Sequence, residues 1–196
     1  PPGVISGVLA PTQLNILQGE FEQSALFAQA SYDITQAVEL SVALRYDEDK
    51  REQRDLLGSR RDSATFSDFQ PKISLSWKLT PDVMLYGTYA EGYKSGAFNP
   101  PPAPGQTFPL VVQQEGTDNF ELGMKSSWLD QKLVANASLY YTEYHDAQIF
   151  QLDLQTGGQV AINANEAEIR GGELELTARP VRGLELSAAL GYTDSE

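Results

Sequence analysis

Residues 119–144 read NFELGMKSSWLDQKLVANASLYYTEY. In the first half apolar Phe120, Leu122 and Met124 alternate with Glu121, Gly123 and Lys125. In the second half Leu133, Ala135, Ala137, Leu139 and Tyr141 alternate with positions that include Asn136, Ser138 and Thr142. Leu129-Asp130-Gln131-Lys132 lies between them as a short polar turn. Alternation with period two on both sides of a tight turn predicts a β-hairpin. Each arm, at about ten residues, is long enough to cross a bilayer as a tilted strand. In a soluble sandwich the apolar face would turn inward. In an outer-membrane barrel it would turn outward to lipid, with the polar face toward a wet lumen. This stretch alone fits both.

The same rhythm continues on either side. Residues 26–34 and 38–47 alternate around a turn at Thr35-Gln36, and a third strand is expected over 66–79. Thr80-Pro81-Asp82 is the next turn, followed by a Tyr- and Gly-rich strand over 83–95. Beyond the central hairpin, strands are expected over 163–178 and 184–192, separated by Pro180-Val181-Arg182-Gly183. Within 163–178, Ile169 falls on the opposite parity to Leu174 and Leu176, so a glycine bulge is expected at Gly171-Gly172. Residues 1–19 read as a loop or lead-in segment, and 20–196 as the strand-bearing region.

Three segments read as long loops. Residues 48–63, EDKREQRDLLGSRRDS, are dense in charge of both signs; a helix is compatible, but the polarity suggests a solvated loop. Residues 97–113 carry too many prolines for a sheet interior, and 151–162 surround Gly157-Gly158. Short connections near 35, 81, 130 and 182 thus alternate with long ones near 56, 105 and 156. A transmembrane barrel with short periplasmic turns and long extracellular loops has this asymmetry, and a sandwich has little reason for it. Tyr46, Tyr93, Tyr141, Tyr144 and Tyr192 lie toward the long-loop ends, while Trp77 and Trp128 lie near short turns. Two interfacial girdles would look like this, although aromatic residues favour strands anyway. The expected fold is all-β: an antiparallel, up-and-down transmembrane barrel segment of about eight long strands.

Composition narrows the function. The 196 residues carry a formal charge of −13, which argues against a nucleic-acid partner. No cysteine is present, so disulfides and thiolate metal sites are excluded. No run of about 18 apolar residues offers a helical membrane span, a test to which a strand-built barrel is blind.

Several phrases resemble a known family, the TonB-dependent outer-membrane receptors. Residues 86–100, YGTYAEGYKSGAFNP, look like its strand-and-loop phrase, and Glu115 followed by FELGMKS at 120–126 is similar to its next strand. LYYTEYHD at 139–146 and NANEAEIRGGELE at 163–175 resemble the two after that, and residues 186–194 the following one. The resemblance implies a barrel of about 22 strands occluded by an N-terminal plug. It implies a Gram-negative outer membrane, contact with its lipid and lipopolysaccharide, and import of a scarce nutrient driven through TonB. Ferric siderophores are the commonest cargo, with cobalamin and glycans as others. The chain shows no TonB box, plug or closing strand with a terminal aromatic, and reads as a fragment from the middle to later part of the barrel. Two alternatives remain at this point: a small self-closed eight-stranded membrane barrel with a structural or adhesive role, and a soluble β-sandwich binding module.

No catalytic constellation is visible. His145 is the only histidine, so a Ser-His-Asp arrangement would have to use it. The chain reads as a transporter segment, not an enzyme, with no cofactor. Glu166, Glu168, Glu173 and Glu175 alternate; calcium takes such carboxylates, but a wet lumen wall accounts for them without a metal. Candidate ligand contacts in the extracellular loops are Phe98, Phe108, His145 and Phe150, because loops carry recognition on barrels. Arg45, Lys78, Glu121, Lys125 and Glu185 are expected to face the lumen, with Arg170 beside them.

Overall fold

A computed structural model of the chain describes residues 16–102, 105–152 and 158–196. Ten strands follow one another in it: β1 (Leu17–Asp33), β2 (Val38–Asp55), β3 (Arg61–Thr80), β4 (Val83–Lys94), β5 (Ala97–Phe98), β6 (Val111–Val112), β7 (Glu115–Trp128), β8 (Leu133–Leu152), β9 (Gln159–Val181) and β10 (Leu184–Ser195). Eight of them form one sheet in the order β1-β2-β3-β4-β7-β8-β9-β10, with every ladder antiparallel. β5 and β6 pair separately, inside the β4–β7 connection. No ladder joins β1 to β10, so among the described residues the sheet does not close on itself. The self-closed eight-stranded alternative is not what the structure shows.

The registers divide the sheet into two unlike faces, because directly opposed residues point the same way. One face carries Leu26, Leu44, Ile73, Leu75, Phe120, Leu122, Leu139, Leu174 and Leu190, linked by successive ladders. The other carries Ser41, Ser74, Thr88, Glu121, Tyr140 and Thr193. Nothing among the described residues covers the apolar face: Leu26, Leu122, Leu139 and Leu190 are 76 %, 63 %, 65 % and 72 % exposed. Against water these four leucines alone would forgo roughly 4–8 kcal/mol of burial, comparable with the whole stability of a domain. A soluble sandwich needs a second layer here, and none is present among the described residues. The polar face satisfies itself across strands, as in Ser74 Oγ to Thr88 Oγ1 (2.7 Å) and Thr142 Oγ1 donating to Asn119 Oδ1 (2.8 Å).

Five expectations need correction. The charge-dense segment 48–63 is mostly strand, with only 56–60 as a connection: β2 runs through it to Asp55 and β3 starts at Arg61. Cross-strand partners support it, with Arg61 donating to Glu52 and the Arg51 guanidinium 5.4 Å from the Phe21 ring centroid. β8 likewise continues to Leu152 and β9 begins at Gln159, so 151–152 and 159–162 of the loop expected over 151–162 are strand; residues 153–157 lie outside the described residues. β1 starts at Leu17, inside the segment assigned to a lead-in, whose residues 1–15 also lie outside the described residues.

The glycine pair at 171–172 makes no bulge. Both ladders of β9 pass through it in continuous register, with Tyr140 opposite Gly171 and Leu139 opposite Gly172. The glycines instead admit large partners: a Cβ on Gly172 would stand 2.8 Å from Leu139 Cδ2, and one on Gly171 would strike the Tyr140 hydroxyl. Continuous parity puts Ile169 on the polar face and Arg170 on the apolar one, opposite Tyr141 and Asp194, so Arg170 does not face inward with the other charges. The irregularities lie at Lys78–Thr80 and Leu184–Leu186, next to turns.

The central hairpin turns through Leu129, Asp130 and Gln131 with φ of 57°, 55° and 63°. Left-handed residues give a tight turn the twist that matches its strands.

Candidate functional site

The middle of the polar face is organised by Tyr86 on β4. Its hydroxyl donates to Glu121 Oε1 on β7 at 2.5 Å, and Lys125 Nζ sits 5.6 Å from its ring centroid. Tyr86, Gly123, Ser138 and Glu173 form one cross-strand row, and Met84, Lys125, Asn136 and Glu175 the next. An open recess of about 410 Å3 lies over these rows, walled by Tyr86, Asn119, Glu121, Lys125, Asn136 and Tyr140 among others. Arg45 and Lys78 share this face through their ladders. Glu185 accepts from Arg179 Nε at 2.7 Å at the short-turn end. Lys72, Lys78 and Lys125 make no ion pair among the described residues.

Toward the long-loop end the polar face gathers acids. Arg45 grips Asp47 with Nε to Oδ2 (2.6 Å) and Nη2 to Oδ1 (2.7 Å), and Gln70 Nε2 adds a third bond at 2.8 Å. Asp47 is thereby fully paired although only 2 % exposed. Tyr93 donates to Asp49 at 3.3 Å. The β3–β4 ladder ends at Lys72–Ala90, while β4 and β7 stay paired up to Lys94–Glu115. Above Ala90 the sheet therefore parts, and the β4–β7 connection packs there: Gly96 approaches Phe66 so closely that a Cβ would strike the ring and the Val112 carbonyl.

That connection is fastened by side-chain amides. Asn99 Nδ2 donates to Ala161 O (2.7 Å) and Pro109 O (2.8 Å), and Asn99 Oδ1 accepts from Ala161 N (2.8 Å). Asn163 repeats the device, with Oδ1 accepting from Gln113 N (2.8 Å) and Nδ2 donating to Gln113 O (3.0 Å). Gln148 Nε2 donates to Ser95 O (3.0 Å) and Gln113 O (2.9 Å). Proline supplies no N–H, so this proline-rich segment is poor in ladder donors, and amide side chains take their place. Sequence reasoning passed over all three residues. The one available signal was an asparagine heading a run of prolines, FNPPP at 98–102.

The expected ligand contacts fall in different places. Phe98 lies in β5, next to Asn99, and Phe108 is half-buried in the same connection. Phe150 lies on the outer arm of β8, opposite Ala161 in the ladder, and is 69 % exposed. Phe98 and Phe150 are thus joined through the Asn99–Ala161 clamp. His145 is apart from them, on the parity of Tyr141 and Leu139, with Nε2 2.8 Å from Asp118 Oδ2. Tyr89 also reaches Asp118, at 2.7 Å, and its ring lies 4.9 Å from Phe120. That hydrogen bond to Asp118 raises the His145 pKa above its ordinary value, against partial burial. The same bond, with that from Tyr89, holds the Asp118 carboxyl below its ordinary value. His145 thus ties β8 to β7 on the side away from the recess.

The family model described as "TonB dependent receptor-like, beta-barrel" matches residues 3–196. The pesticin receptor of Yersinia enterocolitica is 28 % identical over 161 residues, covering 79 % of this chain and 23 % of that protein. A probable TonB-dependent siderophore receptor of Acinetobacter baumannii is 26 % identical over 185 residues, covering 89 % and 24 %. The chain therefore spans about a quarter of the length of these relatives. Among solved structures, the ferric yersiniabactin uptake receptor of Yersinia pestis superposes with a TM-score of 0.75 at 22 % identity, over 93 % of this chain and 28 % of that one. The unclosed sheet, apolar on one side and polar on the other, accordingly corresponds to a stretch of barrel wall, and the chain belongs to the TonB-dependent receptor β-barrel family.

Proposed function

We propose that this chain is wall and outer mouth of a Gram-negative outer-membrane importer, and that its cargo is a ferric siderophore. The carrying observation is the pairing of an uncovered apolar face with a self-satisfied polar one on strands of 12 to 23 residues. A transmembrane strand needs about 9–11 residues. The longer strands therefore cross lipid and continue beyond it. The apolar face meets lipid and, toward the long-loop end, lipopolysaccharide, and the polar recess faces the lumen. Residues 20–196 form wall, with β1 starting slightly earlier. TonB would act through a plug supplied by the rest of the protein, and no chemical transformation is required of this segment. The siderophore reading is supported by the A. baumannii relative, whose name carries that cargo.

Phe98, Phe108 and Phe150 are the ligand-contacting aromatics of this reading. His145 is retained as an edge contact at most, since it already holds Asp118. The test uses the full-length protein. It should migrate as a heat-modifiable band from detergent micelles, and a deletion strain should lose growth on the cognate ferric siderophore under iron limitation. Phe150→Ala is expected to weaken siderophore binding about tenfold, equivalent to about 1.4 kcal/mol, while keeping heat-modifiable migration. Unchanged growth of the deletion strain on every ferric siderophore tried would overturn the cargo.

A further inference from the structure

We propose that residues 95–102 and 105–113 of the β4–β7 connection and the described outer arm of the β8–β9 hairpin are one mechanical unit, fastened by the side-chain amides of Asn99, Asn163 and Gln148.

No continuous ladder joins these two segments: β5 and β6 pair only with each other, and β9 pairs with β8 and β10. What joins them is amide chemistry. A carboxamide presents the same carbonyl and N–H pair as a peptide unit, so Asn99 binds both polar groups of Ala161 as a neighbouring strand would. Asn163 does the same in the opposite direction, from the hairpin to the backbone of Gln113. Gln148 bridges both ends of the connection, at Ser95 and Gln113, and its own N–H donates to Glu115 Oε2 at 2.6 Å. The Asn99 clamp is dry: Asn99 is 3 % exposed and Ala161, Val112 and Val160 are buried, whereas the bonds to Gln113 lie at the exposed edge. Buried polar groups that lose their partner cost their full desolvation. Opening the Asn99 clamp therefore strips partners from both segments, and neither can leave alone without stranding buried polar groups of the other.

The consequence is coupling. A force applied at Phe150, on the hairpin arm, reaches Phe98 through Ala161 and Asn99, and from there Phe66 on β3 through the close approach of Gly96. This holds whatever the ligand is, and rests on the proposed function only in taking the unit to sit at the mouth.

Hydrogen exchange on the full-length protein in micelles tests it. In the wild type, peptides covering 97–112 and 159–163 are expected to exchange at matching rates. Asn99→Ala is expected to quicken both together by about tenfold or more, with the β4–β7 ladder below unchanged. Gln148→Ala, which cuts the unit at its other end, is expected to do the same. Quickening of 97–112 alone, with 159–163 still protected, would show two independent loops and overturn the proposal, as would no change in either peptide. Heat-modifiable migration reports whether each variant folds. If Asn99→Ala does not fold, Asn163→Asp, which keeps an acceptor for Gln113 N and removes the amide donor of one clamp, is read by the same criterion.

Discussion

The ring of Tyr86 lies across Gly123, its direct cross-strand partner, and carries its hydroxyl to Glu121 on the glycine's own strand. A bare backbone opposite an aromatic ring is a device for holding the ring flat against a sheet. It is repeated one strand pair away, where Tyr140 lies over Gly171 and bonds Thr193 at 2.7 Å. These two tyrosines pave the polar face, leaving little room for slippage of register between β4 and β10.

Gly123→Ala follows directly. Its Cβ would stand 2.5 Å from Tyr86 Cε1 and Oη, so the ring must swing away and release Glu121. The expected cost is about 1–3 kcal/mol, the usual penalty for an overpacked site. Gly87→Ala, two residues along β4 from Met124's partner, meets nothing closer than the Glu121 carbonyl at 3.9 Å and should be neutral or slightly stabilising. Denaturant midpoints of the two variants in micelles separate these outcomes. Equal midpoints would mean that the Tyr86–Gly123 packing is not what holds this part of the sheet.

Much of the fold was legible because lipid and lumen impose opposite demands on alternate residues. Wherever an apolar residue recurs at every second position, as in 120–124 or 133–141, the strand is legible from the sequence alone. Past the apolar band that contrast disappears. In residues 48–55 both faces carry polar or charged side chains, so Glu48, Asp49, Lys50 and Arg51 show no alternation, and their strand reads like a loop. The pairing that holds them, such as Arg61 with Glu52, joins residues nine apart through a hairpin whose length no local pattern announces. Gly171-Gly172 misled for a related reason: an apolar Ile169 on the polar face imitated a change of parity. The Asn99 clamp was hidden more deeply, since its partner lies 62 residues away in sequence.

The Arg45–Asp47 pair gives a second expectation. Asp47 is almost wholly buried and receives two bonds from Arg45 and one from Gln70. Glu52, the partner of Arg61, is 41 % exposed and water can replace its arginine. Arg45→Ala should therefore lower the unfolding midpoint clearly more than Arg61→Ala, because only the first strands a buried carboxylate. Arg45→Lys should recover only part of the loss, since an ammonium cannot reproduce the two-pronged geometry. Asp47→Asn in the Arg45→Ala background tests the cause: removing the unpaired charge should restore part of the stability. If Arg45→Ala and Arg61→Ala behave alike, the buried pair has no special weight.

The His145–Asp118 bond makes a prediction about pH, because both groups lie past the apolar band, beyond Phe120 and Tyr141 on their strands. The bond to Asp118 raises the His145 pKa, assisted by the nearby charges of Glu143 and Glu166 and opposed by partial burial. Its stabilising contribution is therefore complete below the unfolded histidine value, about 6.5, and is lost as pH rises through the higher folded value. Asp118 has the opposite sign: its pKa is lowered, so its contribution is present above the unfolded carboxyl value of about 4 and is lost as pH falls through the folded one. The bond is strongest between those limits. Its weight is modest, because His145 is 46 % exposed and solvent screens the pair; less than ~1 kcal/mol is expected. The check is the midpoint difference between wild type and His145→Gln, measured at pH 5.5 and again at pH 8. A larger difference at pH 5.5 supports the charged bond between β7 and β8. Equal differences at both values would mean that the imidazole acts there only as a neutral donor, and a larger one at pH 8 would contradict the sign of the shift.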